Sequence, residues 1–567
     1  MISGSFWLPE MGFRRGLKIL LVAGVVTVLS FIFAGSELAV AFQTGSQRGS
    51  SSKPAGSSTR PSTSAQSKST GLGSVTLDEL VAKELQQLGL EPGPPLSDEE
   101  FLRRVYLDVV GHIPPADRVL EFTKDSHPRK RNRLIRELLD GPEFPRHWAR
   151  YWTDVITIRT RDEDDHLEPA ILEDWFARQI AKNTPWNEVV RQLITATGRN
   201  DEDGPANFIL TQMARPEDLA AETSRVFLGI QLQCAQCHDD PSGTWTRQQF
   251  HEFAAFFGRL DEEGVPLRPE PDLPPGVKAP PPPFRVLVLD TARKEYMMPD
   301  KEDASKTTML LQPRALSGPA LPRGATDAQR REFLAGWVTG THNMWFPRAY
   351  VNRIWSHLMG DGFTKVVDDM GRDRPVLCPT VLYRVSAAWR TGGYDPHWLM
   401  ELILNSQTYQ RKSAGASNSE LAHFAGVPQT RLQASQVLSS LAVALGFDVR
   451  KLPTAFRTQF MQTFEFDPST PADQVVSTIS QSLLMMNDPV VLQSIQHQTE
   501  SMVAKLAEDA DDAAVIESLY VRTLSRRPSP DELRECQSYL AEIGNRHEAF
   551  EDLLWCLVNS TEFLTKR

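Results

Sequence analysis

Residues 234–238 read Cys-Ala-Gln-Cys-His, and this short segment has the clearest chemical capacity in the sequence. Two cysteines separated by two residues and followed at once by a histidine are typical of covalent c-type haem attachment. The thiols of Cys234 and Cys237 can form thioethers to the vinyl groups on one porphyrin edge, and His238 can then bind the iron. With five cysteines and twelve histidines in the chain, the pattern is expected roughly 10⁻³ times by chance. The motif therefore predicts a c-type haem held by these three residues.

Two other uses of the same residues stay open. In an oxidising compartment, Cys234 and Cys237 could close a small disulfide. With His238 and His251 they could instead hold Zn²⁺, although this spacing lacks the two separated ligand pairs of most structural zinc sites.

The motif does not identify a sixth ligand for the haem iron. A methionine sulfur or a second imidazole can serve, and the sequence offers four candidates: Met213, His251, Met297 and Met298. A five-coordinate iron is a further alternative.

The segments on either side of the motif predict helices that would position it. An apolar run indicates a helix that leads into the motif: Val226, Phe227, Leu228 and Ile230. After a polar loop, Thr246 and Gln249 form a capping box that begins a second helix. That helix carries four apolar residues at positions i, i+3, i+4 and i+7: Phe250, Phe253, Ala254 and Phe257. We expect this aromatic face to form one wall of a haem crevice.

The rest of the ordered sequence predicts a mainly α fold with two helical modules. The first module spans residues 76–260 and contains the motif, and the second spans residues 328–567. A Pro-rich linker with a small β insert joins them at residues 261–327, because clustered prolines favour extended backbone.

Local signals predict individual elements within this plan. Ser97 and Ser529 each begin a predicted helix, because a glutamate three residues later completes a capping box. Residues 284–289 and 296–298 are rich in residues that favour strands, and we expect them to form a small hairpin or β insert.

The N-terminus predicts export. Basic residues precede an apolar run at residues 19–34, and Ala39 and Ala41 give the small-residue pattern of a cleavage site, so residues 1–41 are predicted to be a signal peptide. An uncleaved membrane anchor is the alternative, and it would be the only membrane contact of the chain. Residues 42–75 are rich in serine and glycine and predict a disordered tether. We therefore expect a secreted, periplasmic or cell-envelope protein.

Composition and charge exclude several classes of protein. Lysine and arginine number 61 against 72 acidic residues, a net charge of −11, which argues against a dedicated nucleic-acid binder. Five cysteines in 567 residues are too few for a disulfide framework. No nucleotide-binding or hydrolase motif occurs. The expected partner is a redox or envelope protein whose identity the sequence does not give.

A second group of polar residues lies in the C-terminal module, and it contains Asn352, Arg353, Asp368 and Asp369. Two carboxylates beside an arginine can act as acid and base if burial separates their pKa values. Such a group is more often a structural ion pair, which is the interpretation we favour.

The first module resembles the planctomycete-type cytochrome-c-like domain of unknown function. The resemblance is carried by four segments: DEEFLRRVYLDVVG at 98–111, WARYW at 148–152, FLGIQLQCAQCHD at 227–239 and FAAFF at 253–257. Members of that family often continue the motif with Asp-His, whereas this chain has Asp239 and Asp240, which removes one possible extra ligand. The separate N-terminal haem domain of some relatives is absent, so the resemblance implies a single haem.

The second module is similar to the usual companion of that domain, the planctomycete-specific C-terminal domain of unknown function. The similarity is carried by YVNRIW at 350–355, GDG at 360–362, Asp368 with Asp369, SQTY at 406–409 and NSTEF at 559–563. Together the two resemblances imply a large secreted or envelope protein with a cytochrome-type motif.

Three functional hypotheses follow. The first is an exported c-type haem protein that works in electron transfer or redox sensing. The second is a helical envelope scaffold or interaction protein, in which the cysteines form a disulfide or a structural site. A third hypothesis, an enzyme that acts on extracellular polysaccharide, rests on the family resemblance and on Asp368 with Asp369. Whether the protein is an enzyme stays open.

Overall fold

The computed structural model of the protein describes eleven segments of the chain: residues 71–160, 169–241, 244–265, 283–290, 295–303, 306–322, 324–371, 374–412, 424–496, 501–508 and 511–567. The predicted signal peptide or anchor at residues 1–41 lies outside the described residues. So do most of the predicted tether and residues 266–282 of the Pro-rich linker.

Helices form most of the described structure, and the prediction of a mainly α fold is confirmed. The described residues form 22 α-helices, numbered in chain order: α1 Ser74–Gln87, α2 Asp98–Val109, α3 Ala116–Lys124, α4 Lys130–Asp140, α5 Glu143–Thr157, α6 Pro169–Ala181, α7 Trp186–Ile194, α8 Ala206–Leu210, α9 Pro216–Thr223, α10 Arg247–Ala254, α11 Asp327–Val338, α12 Trp345–Met359, α13 Pro379–Thr391, α14 Pro396–Leu404, α15 Ala434–Leu445, α16 Thr454–Phe464, α17 Ile479–Asn487, α18 Pro489–Ile495, α19 Met502–Ala507, α20 Asp512–Leu524, α21 Pro530–Ile543 and α22 Arg546–Val558. None of these helices combines the length and the apolar composition that crossing a membrane requires.

The predicted helix starts are confirmed at the level of single hydrogen bonds. The Ser97 side chain accepts from the Glu100 backbone N–H at 3.2 Å, and the Glu100 carboxylate accepts from the Ser97 backbone N–H at 2.8 Å. The same reciprocal box begins α10 at Thr246 and α21 at Ser529. These boxes satisfy backbone donors that a helix start leaves without intrahelical partners.

Within the described segments, the strands form three two-stranded antiparallel sheets. β1 Leu260–Gly264 pairs with β2 Phe284–Val288, β3 Met297–Pro299 pairs with β4 Thr307–Leu310, and β5 Thr430–Arg431 pairs with β6 Thr565–Lys566. The predicted strands are therefore present as a small β insert, and the alternative of a single hairpin is wrong because they do not pair with each other. β2 pairs with β1, which precedes it in the chain, and β3 pairs with β4, which follows it. The sequence analysis did not predict β1 or β4 as strands.

The hydrophobic cores do not follow the two predicted modules. The first core takes side chains from both modules, and the stacked rings of Trp152, Tyr350 and Trp389 run across it. Trp152 and Tyr350 have ring centroids 5.6 Å apart, and Tyr350 and Trp389 have ring centroids 4.3 Å apart. The second core takes most of its side chains from residues 432–563. The motif-containing module thus shares its core with the first part of the C-terminal module.

Helix α2 is buried and yet carries charges, each of which has a partner far along the chain. Arg103 donates to the Thr523 carbonyl at 3.0 Å. The Asp108 carboxylate accepts from the Lys566 ammonium at 2.7 Å and from the Tyr409 hydroxyl at 2.7 Å. Charges at these depths are stable only when paired, so these contacts connect α2 to the C-terminal end of the chain.

We expect Lys566→Met to lower the free energy of unfolding by about 3–5 kcal/mol, because it leaves the buried Asp108 carboxylate without its cation. The control is Lys365→Met, which removes an exposed lysine paired with Asp473 and should cost less than about 1 kcal/mol. Urea unfolding followed by circular dichroism measures both. Equal losses in the two variants would contradict the proposed role of Lys566.

Candidate functional site

The Cys-Ala-Gln-Cys-His motif lies on the surface in a short 3₁₀ turn. The turn spans Gln233–Gln236, and the side chains of Cys234 and Cys237 are exposed and free. His238 is also exposed, and its Nδ1 lies 2.8 Å from the Asp239 carbonyl oxygen. A carbonyl only accepts hydrogen bonds, so Nδ1 carries a proton, and whenever the ring is neutral the lone pair is on Nε2. The motif thus presents two thiols and one imidazole nitrogen of the tautomer that binds metals.

The backbone before the motif is held by an unusual helix end. Helix α9 continues into a π-helical turn at Ser224–Leu228, and Gly229 ends that turn in the left-handed region with φ 64°. A Cβ at Gly229 would lie 2.7 Å from the Met370 methyl carbon, and the Gly229 carbonyl accepts from the Met370 N–H at 2.8 Å. Glycine is favoured here because of the positive φ, and any larger residue would also have to displace the Met370 side chain.

A series of hydrogen bonds connects Glu217 of α9 to the motif through the buried side chains of Tyr296 and His251. The Tyr296 hydroxyl lies 2.5 Å from the Glu217 carboxylate and 2.6 Å from His251 Nδ1. His251 Nε2 donates to the Gln236 carbonyl at 3.0 Å. Burial lowers the pKa of His251, although the Gln236 carbonyl opposes that shift. The middle of the motif is therefore fixed by residues of α9 and α10 and by Tyr296, which directly precedes β3.

Arg247, the first residue of α10, connects the motif to the β3–β4 hairpin. Its Nε donates to the Gln236 carbonyl at 3.2 Å, and its Nη2 donates to the Pro299 carbonyl at 2.7 Å. Its backbone N–H donates to the Asp239 carboxylate at 2.8 Å. One side chain thus holds the motif and the hairpin beside each other.

The aromatic face of α10 does not line an open crevice. Its predicted residues are all fully buried: Phe250, Phe253, Ala254 and Phe257. The Phe253 ring contacts Trp337 of α11 at 6.1 Å. Two cavities in the described part of the chain lie elsewhere, one lined mainly by α5, α6 and α7 and the other by α20, α21 and α22. The expectation of a crevice wall is wrong, because α11 packs on that face.

The structure places the four candidate sixth ligands differently. His251 has both ring nitrogens engaged, by Tyr296 and Gln236. Met213 lies in the turn between α8 and α9 with φ 49°. Met297 is 38% exposed, and the neighbouring Met298 is half-buried and packs on the first core.

The zinc hypothesis lacks its fourth ligand, because both nitrogens of His251 are already used. Within the described segments, no three histidine, cysteine or acidic side chains converge as a metal site would require. No disulfide joins Cys234 and Cys237.

The polar cluster of the C-terminal module is divided between core and surface. Asp368 is fully buried and accepts from Arg353, and from Arg225 at 2.8 Å. Burial alone would raise the pKa of Asp368, but these two arginines outweigh it and hold the pKa at about 2. Asp369 instead pairs with Arg374 at 2.7 Å, whose side chain is 59% exposed. The two carboxylates therefore do not form an acid and base pair.

Asn352 organises the loop that delivers Asp368. Its side-chain oxygen accepts from the Phe363 N–H at 2.7 Å, and its amide donates to the Thr364 hydroxyl at 2.9 Å and the Val367 carbonyl at 3.3 Å. Asn352 thus has a structural part in this cluster.

Sequence reasoning missed Arg225, which connects the motif to the Asp368 cluster. It lies in the π-helical turn, pairs with Glu222 through its Nε at 2.8 Å and donates to the Val155 carbonyl at 2.6 Å. Glu222 and Arg225 are three residues apart, and this spacing on an apolar helix was the one signal that could have marked them.

Two family models match this chain. The model described as PSCyt2, protein of unknown function (DUF1549), matches residues 76–262. The model described as PSD1, protein of unknown function (DUF1553), matches residues 330–457 and 447–540.

The chain belongs to this two-domain family of unknown function. The resemblance to the planctomycete architecture is thereby confirmed, with its two domains in the expected order. No curated protein and no solved structure matches the chain. In this PSCyt2–PSD1 chain, the motif lies in the first matched region and Asp368 in the second.

We expect Asp368→Asn to lower the free energy of unfolding by about 3–5 kcal/mol, because it leaves two buried arginines underpaired. The pKa of Asp368 is lowered in the folded state, so its stabilising effect is present above about pH 4 and declines as the pH falls towards 2. Asp369→Asn should cost less than about 1 kcal/mol. Urea unfolding between pH 2 and 7 measures both variants, and a pH profile of Asp368→Asn parallel to the wild type would count against this account.

We expect Tyr296→Phe to cost about 1–3 kcal/mol of unfolding free energy, because the variant removes the hydroxyl between Glu217 and His251. Tyr383→Phe is the matched control, since Tyr383 is 44% exposed. The control should change stability by less than about 0.5 kcal/mol. If urea unfolding gave equal losses of unfolding free energy for the two variants, the hydrogen bonds of the Tyr296 hydroxyl would not contribute to stability.

Proposed function

We propose that this protein is an exported c-type haem protein of the cell envelope that works in electron transfer or redox sensing. Cys234 and Cys237 would attach the haem, and His238 would be the proximal ligand. The single observation that carries the proposal is the state of His238: its Nδ1 is fixed on the Asp239 carbonyl, and its lone pair is on the exposed Nε2 beside two free thiols.

The residues present fit the group. Covalent attachment needs two accessible reduced cysteines and one neutral imidazole, and all three side chains are exposed. A carbonyl that accepts a hydrogen bond from the other ring nitrogen is the usual support of a metal-binding histidine. The printed name of the matched first domain, PSCyt2, points to the same class of protein.

The surface position of the motif favours electron transfer or sensing over chemistry on a bound substrate. When bound, a haem supplies an iron that changes by one electron. The chain itself holds the backbone of the motif rigidly, because the Gln236 carbonyl accepts hydrogen bonds from both His251 and Arg247. A cofactor attached at this turn would be accessible to a protein partner.

The proposal is tested by producing the exported protein in cells that carry out c-type haem attachment. We expect an absorbance band in the Soret region that survives denaturation, and haem staining on a denaturing gel. The double variant Cys234→Ala/Cys237→Ala should lose both signals, because it removes both thioethers. Cys556→Ala should keep both, since Cys556 lies in α22 away from the motif.

Thiol titration of the denatured protein separates the alternatives. Of the five cysteines, a haem protein should show three reactive thiols with and without reductant. A colourless protein with three thiols that rise to five with reductant would support the disulfide alternative. A colourless protein with five thiols throughout would support the scaffold alternative, and either result would overturn the haem proposal.

A further inference from the structure

The hydrogen bonds that connect Glu217 to the motif form a series of three contacts. The Tyr296 hydroxyl oxygen lies 2.5 Å from a carboxylate oxygen of Glu217 and 2.6 Å from Nδ1 of His251. Nε2 of His251 lies 3.0 Å from the carbonyl oxygen of Gln236, within the motif. All three distances are hydrogen-bond distances, so each contact needs one hydrogen between its two heavy atoms.

An ionised glutamate, a tyrosine hydroxyl and a neutral histidine supply only two hydrogens to these three contacts. A carbonyl only accepts, so the contact with Gln236 uses the hydrogen on Nε2 of His251. Nδ1 of the neutral ring is then an acceptor. The single hydrogen of the Tyr296 hydroxyl can reach Nδ1 or the carboxylate, but not both. The series is therefore one hydrogen short, and one added proton completes it.

Burial makes the missing hydrogen costly. Tyr296 is 6% exposed and His251 is 1% exposed, so solvent has little access to the contact between them. Without a hydrogen, the lone pairs of two buried atoms would face each other there, and a buried polar atom without a partner is unfavourable. Burial and the charge of Glu217 also raise the pKa of Tyr296, so its hydroxyl keeps its own proton.

Two other charged groups act on these three side chains. Arg247 on α10 interacts electrostatically with Tyr296 and His251, and its positive charge opposes the added proton. Asp218 follows Glu217 on α9 and interacts electrostatically with it, so its negative charge favours the proton. With the proton the three side chains are neutral as a group, which suits their burial.

We infer that Glu217, Tyr296 and His251 together bind one proton more than an ionised carboxylate, a hydroxyl and a neutral imidazole carry. This proton completes the series that fixes the motif at Gln236. Glu217 is thus a positioning residue that acts on the motif through Tyr296 and His251. The inference goes beyond the proposed function, because it concerns the chain's own side chains whether or not a haem is attached.

The test compares the pH dependence of stability in the wild type and in Glu217→Gln. The glutamine amide can donate to the Tyr296 oxygen, so the variant completes the series without an added proton. Above about pH 7 the unfolded chain has an ionised glutamate and a largely neutral histidine, whereas the folded wild type keeps the added proton. The folding equilibrium constant of the wild type should therefore fall about tenfold more per pH unit than that of Glu217→Gln. Urea unfolding between about pH 7 and pH 9 measures both.

Glu302→Gln is the matched control, because Glu302 is exposed in the turn of the β3–β4 hairpin. It should keep the pH dependence of the wild type. Tyr296→Phe provides a second variant: it lacks the bridging hydroxyl, so it should be less stable but should have the weaker pH dependence of Glu217→Gln. Hydrogen exchange of the backbone at residues 233–239, corrected for the intrinsic effect of pH, reports on the motif itself. Raising the pH should reduce protection there more in the wild type than in Glu217→Gln.

The outcomes separate this inference from the proposed function. Equal pH dependence of stability in the wild type, Glu217→Gln and Tyr296→Phe would overturn the added proton. Equal changes of protection at residues 233–239 in the wild type and Glu217→Gln would overturn the positioning role of Glu217. A colourless wild type that keeps the predicted pH dependence would overturn the proposed function and support this inference.

Discussion

Asp368 is the buried charge on which the placement of the motif depends. A carboxylate without solvent contact is stable only when cations surround it, and here the cations come from both family domains. Arg225 approaches from the π-helical turn that leads into the motif, and Arg353 approaches from α12. Three acids and three arginines make up the full group: Glu222, Asp368 and Asp467 with Arg159, Arg225 and Arg353. These ion pairs connect the π-helical turn that precedes the motif to the C-terminal domain.

The Asp368 group and the motif differ in how far their polar side chains are exposed to solvent. Around Asp368 the polar side chains are buried and paired, whereas Cys234, Cys237 and His238 are exposed. Between them, the Gln236 carbonyl is held by His251 and Arg247. Reactive side chains on a rigid scaffold are the usual arrangement of a functional site. Because its side chains are buried and paired, we assign the polar cluster at Asp368 a structural role. Because its side chains are exposed, we assign the reactive role to the motif.

Local features could be predicted from the sequence because they depend on neighbours within a few residues. The capping boxes at Ser97 and Thr246 need only a partner three residues away. The buried face of α10, with Phe250 and Phe253 among its members, follows from helical periodicity. The partners of β2 and β3 could not be predicted, since strand pairing depends on which segments the fold brings together. For the same reason the aromatic face of α10 was assigned to a crevice, when α11 covers it.

The sequence by itself determined the helical class, the two-domain family and the three residues of the motif, because these depend on residue types at short spacing. Only the tertiary structure decided that the two domains share a core and that Asp368 and Asp369 belong to different ion pairs. It also decided that both ring nitrogens of His251 are hydrogen-bonded. Those facts depend on contacts between residues far apart in the chain, such as Arg225 and Asp368. Pairing of charges between distant segments is a property of the packed chain, and no local pattern encodes it.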